Sequence, residues 1–245
     1  MSQSSAQNVH ANNPDGALDA YLTKYDITDF SNNASDLNGT VDSEAIYSNP
    51  PHAPDTYWGT GNSVTGYNIL DNNTLGFELA LKEHARFGAD LAHAAGADGV
   101  ADVTAPAGTD TAGTHALWNF DYVVDTGLNG NTNTLTAYTF KLQITQTATN
   151  GTTNTQVFDL NPTTHVWTNE ANPASHFGGD DFSGHPATSQ VQSQVAENSE
   201  NLAFLGGVFG PLSTATAAGT TYDIQLEAFK HVQLVGLVHD HVTLA

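Results

Sequence analysis

Apolar and polar residues alternate along several stretches of the chain, which is the period of a strand with one buried face. In 75–87, LGFELALKEHARF, Phe77, Leu79 and Leu81 alternate with Glu78, Ala80 and Lys82. The same residues have good helix propensity, so a helix is the competing prediction there. Trp118, Phe120, Tyr122 and Val124 share a face in 117–125, and Tyr138, Phe140, Leu142 and Ile144 do so in 134–147. Tyr222, Ile224, Leu226 and Ala228 do the same in 221–229, and 231–244 reads as a last strand with a bulge at Gly236. The turn LNGN at 128–131 joins two alternating runs and predicts a hairpin; Asn150-Gly151 extends it into TQVFDL as a meander. Residues 17–30 read as a short strand or helical turn, 188–200 as a short helix, and NLAFLGGVF as a buried strand. Loops are expected over 31–45, with a turn at Asn38-Gly39, over 88–113, with one helical turn near Asp90–Ala95, and over the proline-bearing 161–187. The sum is an all-β fold: an antiparallel β-sandwich, jelly-roll-like, with long loops and at most one or two short helices. Residues 1–15 read as a flexible arm and 16–245 as one sandwich domain.

Charge changes this picture most. The chain has 26 Asp and Glu against 5 Lys and Arg, a formal net of −21, and no cysteine in 245 residues. A compact body this acidic repels itself, and it repels nucleic acid and anionic membranes as partners. The 22 aromatic residues, 3 Trp, 8 Tyr and 11 Phe, fall in alternating patterns and argue against disorder over most of the length. Zero cysteine excludes a disulfide scaffold and thiol chemistry. No run of 18 apolar residues is present, so no membrane span is expected. The N-terminus lacks a basic region followed by an apolar stretch, so no Sec-type signal is expected in it. An acidic, Cys-free, Lys-poor and Thr/Asn/Gly-rich chain favours the cell exterior.

Four blocks occur in order: GFELALKEHARF (76–87), LWNFDYVVDT (117–126), AENSENLAFL (196–205) and TYDIQLEAF (221–229). This series resembles a group of secreted bacterial proteins of unassigned function that often carry a C-terminal sorting tail of the PEP-CTERM kind. The resemblance spans 76–229, with looser similarity at YWGTGNSVTGYNI, and implies an extracellular β-rich domain without supplying a function. A departure from the group is expected at both ends, since the residues there suggest neither a signal peptide nor an anchoring helix. Its ending, VHDHVTLA, resembles the termini of type I secretion substrates, including bacterial haemophores; a plain last strand is the other reading.

Candidate chemistry is sparse. Asp26, Asp29, Asp36, Asn38, Asp42 and Glu44 form a loop dense in hard oxygen donors and are the candidate calcium site, although their spacing is not that of an EF-hand; a solvated acidic loop is the competing reading. Phe177–Gly184 contains a single Gly/Asp turn, and one copy cannot stack into a calcium-binding roll. Asp121 and Asp125 are a further calcium possibility. His239 and His241 point to one side of a strand and can begin a transition-metal site. The competing reading has the eleven histidines acting as weak bases on a surface short of Lys and Arg. Tyr57, Trp58 and Trp167 are candidates for stacking on a glycan, against core filling. No G-x-S-x-G, H-E-x-x-H or phosphate loop is present. The only carboxylate pair suggested for glycoside hydrolysis, Glu78 and Glu227, is expected to face outward, paired with Lys82 or Arg86.

These readings lead to a non-catalytic extracellular surface or biofilm-matrix protein. It would self-associate into a filament or layer, with calcium as the cofactor that relieves repulsion and itself as the main partner; cell-surface glycan is a further partner. The alternatives are a secreted carrier of haem, metal or glycan and, third, a hydrolase.

Overall fold

Alternation of apolar and polar side chains sorts the chain into two sheets whose apolar faces meet. The computed structural model describes residues 30–31, 67–72, 75–86, 91–95, 100–127, 131–178 and 193–245. The expected arm at 1–15, the calcium loop (Asp26, Asp29, Asp36, Asn38, Asp42, Glu44), Tyr57, Trp58, and all but Phe177 and Gly178 of the Gly/Asp turn lie outside the described residues. The first sheet runs β1 (Phe30–Ser31), β2 (Asn68–Asn72), β3 (Phe77–Ala85), β6 (Trp118–Asp125), β11 (Val195–Glu200), in that spatial order. The second runs β10 (His176–Gly178), β9 (Val166–Asn169), β8 (Thr153–Leu160), β7 (Thr139–Thr147), β12 (Thr221–Lys230), β13 (Gln233–Leu244), β5 (Ala101–Ala105), β4 (His93–Ala95). All pairs are antiparallel except β13 with β5, so the second sheet is mixed. The fold is all-β and sandwich-like.

The alternating runs become strands β3, β6, β7, β12 and β13, and the residues expected inward are buried. Aromatic pairs bridge the layers: Trp118 meets Tyr222 at 5.7 Å, Tyr122 meets Trp167 at 5.4 Å and Phe77 meets Tyr138 at 5.2 Å between ring centroids. Tyr222 also donates its hydroxyl hydrogen to the Ala215 carbonyl at 2.6 Å and accepts from Gln146 at 2.8 Å, so the phenol's polar end is satisfied inside the core. The bulge is present: the β12–β13 register shifts between Ala228 and Phe229, beside Gly236. A Cβ at Gly236 would stand 2.8 Å from the Phe77 ring, so close packing of the two sheets requires glycine there.

Several expectations are corrected. The runs flanking 128–131 form no hairpin. β6 pairs with β3 and β11, whereas β7 pairs with β8 and β12, so the connection crosses from one sheet to the other. Residues 135–137 form a 3-10 turn rather than the start of β7. The meander after Asn150-Gly151 does form, with Thr147 opposite Thr153 and Gly151 at φ 81°. The long loops at 88–113 and 161–187 carry β4 and β5, and β9 and β10. His93–Ala95 is a strand, not a helical turn. VAENSE is strand β11, its Ala196 drawn into the core by pairing with β6. NLAFL is a 3-10 turn. Asn201 causes this: its buried Oδ1 accepts from the backbone N–H of Ala116 and Ala203, and its Nδ2 donates to the carbonyls of Ala116 and Trp118. Gly206 and Gly207 then take positive φ, which ends any extended run.

Candidate functional site

The outer face of the first sheet is the most charged buried surface described. Residues that alternate with the core on β3, β6 and β11 are Glu78, Lys82 and His84, then Asn119, Asp121 and Asp125, then Glu197 and Ser199. Glu78, Lys82, His84, Asp121, Asp125 and Glu197 are all buried. Asp121, opposite Lys82 in register, takes an ion pair from Lys82 Nζ at 3.4 Å and one from His84 Nε2 at 3.0 Å. Lys82 also lies 4.7 Å above the Tyr67 ring, a cation–π contact. Burial alone would lower the His84 pKa, but the hydrogen bond and charge of Asp121 outweigh it, and the net shift is upward.

Ser199, His84 and Asp121 are the residue types of a nucleophilic triad, brought together by three strands. The orientation is wrong for one. His84 Nδ1 donates to the Ala85 carbonyl at 2.8 Å, while Nε2 faces both Ser199 Oγ, at 2.9 Å, and Asp121. A triad needs the carboxylate on the far nitrogen, so that the near one can take the serine proton. Asp121 instead holds a proton on the nitrogen that would act as base. This cluster is an ion network that fixes three strands.

A second polar group lies between the sheets. Asn68 Nδ2 donates to Asp240 Oδ1 at 2.7 Å and to the His239 carbonyl at 3.2 Å, and Glu83 is hydrogen-bonded to Asp240. All three side chains are buried. Burial first, then the charge of Asp121, raises the Glu83 carboxyl to about 8, against the opposing effects of Asp240, His84 and Lys82. Burial likewise pushes Glu200 well above the carboxylate range. A raised folded pKa gives stability that is complete below the unfolded value of 4.5 and lost as pH climbs through about 8. Urea midpoints are therefore expected to fall between about pH 5 and about pH 9, and Glu83→Gln to flatten that fall. An unchanged slope in the variant would mean that Glu83 does not bind its proton in the folded protein.

The outer face of the second sheet is polar and partly exposed. Thr153, Thr147, Thr221, Thr243 and Thr104 line up in register across five strands, none of them buried. Lys141 on β7 lies opposite Glu227 and Asp159, bonds Asp159 at 3.0 Å, and pairs closely with Glu170. Burial, with Glu170, raises the Glu227 carboxyl to about 6, while Lys141 opposes the shift. On the same face His239 Nε2 and His241 Nδ1 both approach Asp223 Oδ1, at 3.2 and 2.9 Å.

The structure thus redistributes the residues singled out in the sequence. Glu78 and Glu227 lie on opposite outer faces of the sandwich and share no cleft. Glu78 is also fully buried rather than solvent-facing. Trp167 is on β9 inside the core, packed on Tyr122 and Phe177, and presents no ring to a glycan. Asp121, a weak calcium possibility, is engaged by Lys82 and His84. His239 and His241 do share a face, and Asp223, which nothing in the sequence singles out, joins them because β12 and β13 pair. Among the described residues no group of three or more His, Asp or Glu stands as a ready-made metal shell. No described helix is long and apolar enough to cross a membrane. Compared with known proteins, the chain matches no family model, no curated protein and no solved structure.

Proposed function

We propose that this chain is a non-catalytic extracellular surface or matrix protein that self-associates, with calcium relieving repulsion between copies. The observation that carries the reading is charge: 26 acidic residues against 5 basic ones set a repulsion that divalent cations offset. The resemblance of the four sequence blocks to secreted bacterial proteins supports the location. The open strand orders support association, since β1, β11, β10 and β4 stand at the ends of the two described sheets and sheet ends are natural places for strand addition. The broad threonine-lined face offers a second contact surface. The orientation of His84 and the separation of Glu78 from Glu227 argue against a hydrolase.

Light scattering and electron microscopy of one sample, in calcium and then in chelator, test this. Ordered particles that grow with calcium and disperse with chelator are the expected result. A monomer in both conditions overturns the proposal. Particles indifferent to chelator remove calcium from it and leave self-association.

A further inference from the structure

We propose that His239, His241 and Asp223 form a zinc site on the outer face of the second sheet. The placement comes from the backbone. His239 and His241 sit two residues apart on β13, so their side chains leave the same face about 7 Å apart. β12 pairs with β13 so that Asp223 stands directly opposite His241 and Gln225 opposite His239. One carboxylate on the neighbouring strand is thereby set between two imidazoles. The structure shows the convergence: both ring nitrogens reach Asp223 Oδ1, at 3.2 and 2.9 Å. Zinc binds imidazole nitrogen and carboxylate oxygen at about 2.0–2.2 Å, so neighbouring donors in a tetrahedral shell stand roughly 3.3–3.5 Å apart. The two N–O spacings lie about 0.1–0.6 Å short of those values, and the trio stands as a hydrogen-bonded cluster rather than a closed metal shell.

The donor chemistry selects the metal. Two neutral imidazoles and one carboxylate, with no thiolate available in a Cys-free chain, suit zinc and do not suit calcium, which takes six to eight oxygens. Three protein donors leave a fourth position for water or for a donor from another molecule. Asp102 is the nearest further carboxylate by register, opposite His241 on β5, and its charge bears on that imidazole. Access is partial: the side chains of His239, His241 and Asp223 are 16%, 34% and 32% exposed. Because both nitrogens rest on a single oxygen, a shell forms by turning these partly exposed side chains, with no strand displaced. Zinc takes a lone pair from each ring nitrogen, so any proton on His239 Nε2 or His241 Nδ1 passes to solvent, and the other nitrogen of each ring keeps its own. The strongly negative chain concentrates cations near the site.

The test titrates zinc chloride into the full chain in saturating calcium, so that the calcium reading and this one fail separately. One equivalent should bind, with affinity lost at least tenfold in His239→Gln, His241→Gln and Asp223→Asn. The other nine histidines are controlled by the double variant H239Q/H241Q. Cobalt added in place of zinc should give the visible absorption of a tetrahedral nitrogen–oxygen site in the wild type alone. Imidazole resonances of the unmodified protein provide an arm that needs no variant: those of His239 and His241 should move first and saturate together. Equal zinc affinity in the double variant, or prior movement of other histidines, would overturn the proposal.

Discussion

Replacing Asp121 with alanine is expected to cost about 3–5 kcal/mol of folding stability, the range for removing one partner of a buried ion pair. Asp121 and Lys82 are completely buried, and His84 nearly so. Deleting the carboxylate takes from the buried Lys82 ammonium the counter-charge at 3.4 Å. It also removes the group that holds the His84 pKa above its ordinary value. A His84 that is protonated when folded contributes stability below about pH 6.5 that is lost as pH rises through the raised value. The variant's urea midpoint should therefore drop at every pH and drop most on the acid side. The double variant Lys82→Met with Asp121→Leu should recover most of the loss, because a buried ion pair rarely outperforms well-packed apolar residues. Tryptophan fluorescence during urea unfolding measures both. A loss under about 1 kcal/mol in the single variant would place the cluster in contact with water, as for an exposed pair.

Trp167→Ala is expected to cost about 3–5 kcal/mol as well, the range for emptying a large aromatic site in a core. The indole lies against Tyr122 edge-on at 5.4 Å and stacked near Phe177 at 6.2 Å. These partners tie the far end of the second sheet to the middle of the first. Trp167→Phe should cost far less, roughly 1–2 kcal/mol, because among the described residues the indole N–H has no acceptor to lose. Thermal or urea melts of the two variants give the comparison. Equal losses would mean that the N–H, and not the ring's volume, matters. A melt unchanged by alanine would mean that the ring does not fill the core.

The strands with clean alternation were legible because burial of one face leaves a period of two in the residues themselves. β3 was legible as a strand even though both its faces are buried, because Glu78, Lys82 and His84 still alternate with Phe77, Leu79 and Leu81. The same pattern misled on burial: a charged residue between apolar ones reads as outward and solvated, whereas here it is outward and covered. The hairpin at 128–131 failed for a related reason. Alternation and a turn signal identify two strands and a reversal of the chain, but not which sheet each strand joins. Short strands such as VAENSE and HFG carry too few residues to show a period, and their pairing partners supply the order their own propensities lack. Asp223 escaped notice because its partners are 16 and 18 residues away.

By itself, then, the sequence determined the all-β class, the inward faces of the main strands, the bulge near Gly236 and the shared face of His239 and His241. Each of these follows from local period and local turn chemistry. Only the tertiary structure decided that Lys82, His84 and Asp121 form one buried network, that Glu83 meets Asp240 across the layers, that Glu78 and Glu227 are kept apart, and that Asp223 completes a trio with two histidines. Those outcomes depend on strand order and register between distant segments. The free energy that selects a register comes from the packing of the whole sandwich, and it leaves no mark on any one stretch of chain.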